Sequence, residues 1–319
     1  MKKITIGIPC YNEEENIMDT YQAVVKVMEA VANYDFDIIF IDNCSKDRSP
    51  EILTELASRD KRVKVIFNSM NFGPQKSVVH LYSRVDGDAF IGMPCDLQEP
   101  PEMIPDFIRE WEHGSQIVWG QKKSSKETPV KFRLRKIYYS IIDLFSDEAQ
   151  LRECTGFGLM SKEVIDTILP ISLQDTSVSW RYLVLGHGFD IKLLPYTQRA
   201  REKGKSSYSA STYFDFAMNS LINTSVKPLR IVTVLGIFMA VCSFVVAIVY
   251  LIMKLIHWHE FNAGMAPVLI GVFFLGSIQL LCLGVIGEYI ASVIRKITPS
   301  TRVTESHSLN FEDDEEQSV

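Results

Sequence analysis

The side chains best suited to chemistry in this sequence stand just after short apolar runs. Asp96 follows DAFIGMPC and opens DLQEPPE, where Pro100 and Pro101 stiffen the turn. A carboxylate followed by Gln98 and Glu99 offers hard oxygen ligands, the donor type with which Mg²⁺ or Mn²⁺ holds a diphosphate. The same residues equally suit a capped turn. Asp42 follows FDIIFI and is placed to hydrogen-bond a ribose or a base, while DNCSKD also fits an ordinary Asx turn leading into a helix. A third group, RAREKGKSSY, gathers Arg199, Arg201, Lys203 and Lys205 around Gly204. Close to a membrane such a loop would meet a lipid phosphate or a leaving diphosphate; taken alone it is bland surface. A Ser/His/Asp arrangement has no comparable support, since His80, His113 and His187 fall in helical or turn contexts and His257, His259 and His307 in a loop and tail. Glycine fingerprints of the GxGxxG or GxxxxGK(S/T) kind are absent.

The elements that must carry these residues alternate. ITIGIP, a helical pattern from Glu13 to Val31, FDIIFI, a second helical pattern near Pro50 to Ser58, VKVIFN, DAFIGMP, SQIVWG and FDIKLLPY follow in order. That rhythm predicts an α/β fold with a mostly parallel sheet and helices on both faces. Ligands of such sheets sit beyond the carboxyl ends of strands, which singles out Tyr11 to Glu13, Asp42 to Asp47, Asn68 to Lys76 and Asp96 to Glu99.

The chain has 319 residues and a net charge of −6, so it offers no overall basic field for nucleic acid. Its mean hydropathy of +0.07 is high for a soluble protein and the excess is local. Leu229 to Met253, whose one charge is Arg230, and Ala263 to Gly287, which has none, each exceed the ~20 residues needed to cross a bilayer. The short link Lys254 to Asn262 forces a hairpin. Lys227 and Arg230 before it and Arg295 and Lys296 after it predict that both termini and the soluble part are cytoplasmic, at the inner or plasma membrane. The N-terminal apolar run is too short for a signal peptide, and six scattered cysteines fit reduced thiols. Residues 129–146 and 208–227 mix basic and aromatic side chains in a way that fits a membrane surface, or for the former a helix packed on the sheet. Gly264, Gly271, Gly276, Gly284 and Gly287 leave room for close helix approach, from which a homo-oligomer is expected. The expected organisation is a catalytic domain over 1–207, an amphipathic connector over 208–228, a membrane hairpin over 229–297 and a flexible acidic tail over 298–319.

In order along the chain, IPCYNEEEN, DNCSKD, NFGPQKS, CDLQEPPE and REKGKSSY, then two spans ending LGVIGEY, resemble the membrane-anchored family 2 glycosyltransferases. More narrowly they resemble polyisoprenyl-phosphate glycosyltransferases related to dolichyl-phosphate mannose synthase and the bactoprenyl glucosyltransferases. The resemblance implies a GT-A fold in which Pro9, Tyr11, Glu13 and Asp42 help hold a nucleotide. It implies that Asp96 and Gln98 coordinate Mg²⁺ or Mn²⁺ on a sugar-nucleotide diphosphate, and that Arg201 and Lys205 face phosphate in an acceptor loop. The implied reaction is inverting transfer of a sugar to a polyisoprenyl phosphate drawn from membrane lipid, with a UDP-sugar favoured over a GDP-sugar as donor. Three positions depart from the family's pattern. Pro94 stands where the first Asp of the Asp-x-Asp element is usual, Gly156 where an Asp often proposed as catalytic is usual, and Ser207 where a Lys is usual. Glu99, Glu153 and Asp175 are the carboxylates nearest to hand as compensation. The competing readings are a glycosyltransferase with another lipid or glycan acceptor and a non-catalytic nucleotide-binding scaffold.

Overall fold

The computed structural model describes residues 1–31, 33–124, 153–174, 180–200, 227–256, 265–297 and 302–311. Strands β1 (Lys2–Cys10), β2 (Tyr34–Asp42), β3 (Val63–Asn68), β4 (Ala89–Gly92), β5 (Ile117–Ser124), β6 (Cys154–Ser161), β7 (Ile191–Thr197) and β8 (Glu305–Leu309) form one sheet. Its order is β7-β5-β6-β4-β1-β2-β3-β8. The central β4, β1, β2 and β3 run parallel, as the alternating pattern predicts. β6 runs antiparallel to both β4 and β5, and β7 pairs parallel with β5.

Helices α1 (Ile17–Glu29), α2 (Ser49–Arg59), α3 (Pro74–Ser83), α4 (Ile104–Glu112), α5 (Lys162–Gln174) and α6 (Trp180–Gly186) complete this unit. Proline in the first turn of α2, α3 and α4 favours those starts, because its missing N–H costs no intrahelical bond there. The central strands are apolar on both faces. Ile4, Ile6, Ile8, Ile38 and Phe40 pack toward Ile17 and Val24 of α1, Leu53 of α2 and Phe107 of α4. Ile39, Ile41, Ile66 and Phe90 pack toward Leu81 of α3, Ile165 of α5 and Val184 of α6. Two covered faces explain why the parallel strands are near-continuous apolar runs. The result is the expected α/β, Rossmann-like fold of GT-A type.

The C-terminal segment differs from expectation. Within the stretch 298–319 expected as a solvated tail, residues 305–309 form β8, antiparallel to β3. Without it β3 would present an open edge, and edges of that kind are usually covered.

The chain divides into two compact units, one of Met1–Lys136, Gln150–Ser209 and Pro299–Val319, the other of Ile137–Ala149 and Ala210–Thr298. Within the second, α7 (Lys227–Ile256) and α8 (Met265–Ile297) have 30 and 33 residues, each long and apolar enough to cross a membrane. Their side chains face outward, as with Phe244 at 67% and Leu280 at 72% exposure, which suits a hydrocarbon solvent. A Cβ added at Gly271, Gly276, Gly284 or Gly287 would meet nothing within 4 Å among the described residues.

Candidate active site

β1 lies between β2 and β4 and all three run parallel, so their carboxyl ends open on one rim. Pro9 sits near the end of β1, and Cys10 stands level with Asp42 at the end of β2. The loops beyond these strands are laced together. Asn12 donates its N–H to Ser45 Oγ at 2.8 Å, and Lys46 donates its N–H to Asn12 Oδ1 at 2.8 Å. Glu13 donates its N–H to Ser49 Oγ at 3.0 Å, and its carboxylate accepts from Asn16 Nδ2 at 2.6 Å. Tyr11, half-buried, and Glu13 are thereby fixed beside the end of β2. The Cys10 thiol is pushed well up by burial, by its hydrogen bond with Cys95, and by the nearby Asp42 and Glu13 carboxylates. That one thiol places Asp42, Glu13 and the residue before Asp96 around a common floor.

Asp42 is 2% exposed. Its Oδ2 accepts the Ser45 N–H three residues on at 3.0 Å, which closes a local turn. Its Oδ1 is buried with no hydrogen-bond partner among the described residues. Burial pushes the carboxyl up despite the Ser45 hydrogen bonds. A buried acceptor left unmade is costly, and a ligand N–H or O–H would relieve it.

Asp96 is half-buried and its Oδ1 accepts the Gln98 N–H at 3.2 Å, across Leu97 at φ 53°. Left-handed backbone at a bulky non-glycine residue is uncommon, and it occurs here at Asn12, Cys44 and Leu97, beyond β1, β2 and β4 in turn. The rim carries left-handed backbone at the ends of three neighbouring strands. Gln98 Nε2 donates to the Arg199 carbonyl at 3.4 Å and the Arg199 N–H donates to the Gln98 carbonyl at 2.9 Å. The basic segment therefore starts beside the Asp96 turn. Arg201 and Lys205 themselves, like Asp175 and the two amphipathic stretches, lie outside the described residues.

Among the described residues no three His, Cys, Asp or Glu side chains gather as a metal cage. The donor set nevertheless fits a cation that takes one carboxylate, waters and substrate phosphates, which is the usual habit of Mg²⁺. Asp96 could supply that carboxylate and Gln98 Oε1 a neutral oxygen. Glu99 is not a ligand of this kind. It is 3% exposed, and its Oε1 accepts from Tyr196 Oη at 3.2 Å and Gln198 Nε2 at 3.3 Å. Burial and then the Asp96 charge push its carboxyl up. Glu153 holds a left-handed turn at φ 62°, its carbonyl accepting the Lys122 N–H.

Sequence reasoning marked Asn68 to Lys76 without assigning a role, and it missed the network those residues make. Asn43 Oδ1 accepts from Asn68 Nδ2 at 3.1 Å and the Phe72 N–H at 3.0 Å, while Asn43 Nδ2 donates to Asn71 Oδ1 at 2.8 Å. Asn68 Nδ2 also reaches Ser77 Oγ on α3 at 3.0 Å. The residue next to Asp42 is thus locked to the ends of β3 and α3.

The arrangement has known counterparts. The mycobacterial protein whose crystal structure superposes with a TM-score of 0.50 shares the fold at 14% identity, covering 70% of this chain and 75% of that one. The putative glycosyltransferase CsbB of Bacillus subtilis is 32% identical over 91% of this chain and 87% of its own length. The SfII prophage-derived bactoprenol glucosyl transferase of Shigella flexneri is 29% identical over 97% of this chain and 99% of its own. Residues 227–293 match the GtrB C-terminal hairpin, and residues 5–169 match Glycosyl transferase family 2. By these family matches over residues 5–169 and 227–293, the chain belongs to the family 2 glycosyltransferases, among those related to bactoprenol glucosyl transferases.

Proposed function

We propose that the protein transfers a sugar from a nucleotide-sugar, a UDP-sugar before a GDP-sugar, to a polyisoprenyl phosphate at the cytoplasmic face of a membrane. The observation that carries this reading is the Gln98–Arg199 pair, which ties the turn bearing Asp96 to the start of the basic segment. Asp42 offers its unpartnered Oδ1 to the nucleoside, with Pro9, Tyr11 and Glu13 shaping the same wall. Asp96 and Gln98 would hold Mg²⁺ or Mn²⁺, and a bound divalent cation supplies charge neutralisation at the diphosphate. Arg201 and Lys205 orient phosphate, either the leaving diphosphate or the lipid acceptor.

The attacking atom is a phosphate oxygen of the lipid. A phosphomonoester has its second pKa near ~6, so at cytosolic pH it attacks as an ionised oxygen and needs positioning more than deprotonation. That removes the demand for a strong general base, and it accords with Gly156 standing where the family often has Asp. One displacement at the anomeric carbon inverts it: the C–O bond to the lipid phosphate forms as the bond to the diphosphate breaks.

The helices α7 and α8 would present the lipid phosphate, with Lys227, Arg230, Arg295 and Lys296 on the cytoplasmic side and both chain termini there. The open glycine faces of α8 suit a second copy of the chain. The test is a screen of UDP- and GDP-sugars against undecaprenyl and dolichyl phosphate, using the full chain in membranes. Label in the lipid phase from one donor supports the reading; tight donor binding with no lipid product from any donor overturns it.

A further inference from the structure

We propose that Glu305, in the strand that follows the membrane hairpin, is a positioning residue for the nucleotide side of the active site. The inference rests on the donor reading above for its kinetic consequence, but its structural basis is separate. β8 is bonded to β3 with Val65 opposite Leu309, Phe67 opposite His307 and, past a register shift, Asn68 opposite Glu305. It is anchored at both ends. The Ser69 N–H donates to the Thr304 carbonyl at 2.9 Å, and Asn310 Nδ2 donates to the carbonyls of Ala57 and Val63 at 2.7 Å.

Glu305 reaches from this strand to α3. Its Oε1 is 2.6 Å from His80 Nε2 and accepts from Arg84 Nε at 3.0 Å, while its Oε2 accepts from an Arg84 terminal nitrogen at 2.9 Å. The side chain is only 18% exposed, so this forked pair is shielded from water. Ser77, His80 and Arg84 are spaced by three and four residues and share one side of the helix. Glu305 grips the lower part of that side; Asn68 grips Ser77 near its start. From there the chain of contacts runs through Asn68 and Phe72 to Asn43, the neighbour of Asp42. A strand arriving from beyond the membrane helices thereby sets where α3 and the 71–73 turn stand against the nucleotide wall.

The test compares Glu305→Gln with His307→Ala in the full-length protein. His307 stacks on Phe67 with ring centres 4.3 Å apart and has no hydrogen bond or ion pair to α3 among the described residues, so its variant perturbs β8 and leaves the clamp. Amide hydrogen exchange over residues 71–84 is expected to speed up in Glu305→Gln and not in His307→Ala. Donor KM is expected to rise about threefold to tenfold in Glu305→Gln with kcat changed less than about twofold. Unchanged exchange over 71–84, faster exchange with an unchanged donor KM, or equal effects from both variants would each overturn the proposal. The exchange measurement needs no lipid product, so a failed acceptor assignment registers separately, as exchange that responds without transfer.

Discussion

Gln98 and Arg199, 101 residues apart in sequence, hold each other through two hydrogen bonds, one backbone to backbone at 2.9 Å and one from the Gln98 amide at 3.4 Å. The first residue of the pair belongs to the turn that carries Asp96, the second opens the basic segment. A sheet whose β4 and β7 are separated by two intervening strands thus brings the Asp96 turn and Arg199 to the same rim.

Asp42→Asn tests the nucleotide wall. Asparagine keeps an acceptor for Ser45 but removes the charge and turns one oxygen into a donor. Donor KM should rise about tenfold to a hundredfold, the scale of a lost charge-assisted hydrogen bond, with kcat affected less. Steady-state kinetics with varied donor check this, and an unchanged KM rejects a nucleoside contact at Asp42.

Arg201 and Lys205 are assigned to phosphate. The double variant Arg201→Gln, Lys205→Gln should lose at least about tenfold in kcat/KM for the lipid acceptor while thermal unfolding stays close to wild type. Kinetics indistinguishable from wild type reject the assignment.

Gly158 and Gly156 both hold positive φ, +150° and +95°, and differ in the space around them. A Cβ at Gly158 would stand 2.2 Å from the Val118 carbonyl oxygen, whereas at Gly156, φ +95°, it would meet nothing within 4 Å. Gly158→Ala should therefore destabilise by more than about 2 kcal/mol through forced backbone movement. Gly156→Ala should cost only about 1–2 kcal/mol for left-handed backbone. Denaturant unfolding of both variants checks the order, and a larger loss at Gly156 contradicts it.

The same two glycines show why β6 was not legible in the sequence. CTGFGLMS drew notice as a departure from a family motif, and its glycines at alternate positions hid a strand that runs against both neighbours. β8 was hidden by polarity, since ESHSL covers an edge and buries none of its five side chains fully. The parallel strands announced themselves because both their faces are buried, and VKVIFN is β3 to the residue. The sites of Asp42 and Asp96 followed from the strand-end rule. Their reading as turn formers holds in the structure, since each carboxylate closes a local turn with one oxygen. The asparagine network was beyond reach because it joins residues 43, 68, 71 and 77 through side chains rather than through any spacing.

Glu305 gives the clamp a pH signature. Burial alone would raise its carboxyl, but the hydrogen bonds from His80 and Arg84 outweigh burial and bring it down to about 2. A depressed folded value means the stabilisation is present above the unfolded value of about 4.3 and is lost as pH falls toward 2. The stability difference between wild type and Glu305→Gln should hold from neutral pH to about 5 and shrink below about 4. A difference that does not change between pH 6 and pH 3 contradicts the ionised pair.

The central claim is sugar transfer to a lipid phosphate at a site built on Asp96. Its most direct measurement is incorporation of labelled sugar into polyisoprenyl phosphate by the full chain in membranes, wild type beside Asp96→Ala, across a titration of Mg²⁺ and Mn²⁺. The account predicts metal-dependent lipid product from the wild type and a loss of at least about a hundredfold in the folded variant. Equal product from both proteins, or none from the wild type with any donor that it binds, would contradict it.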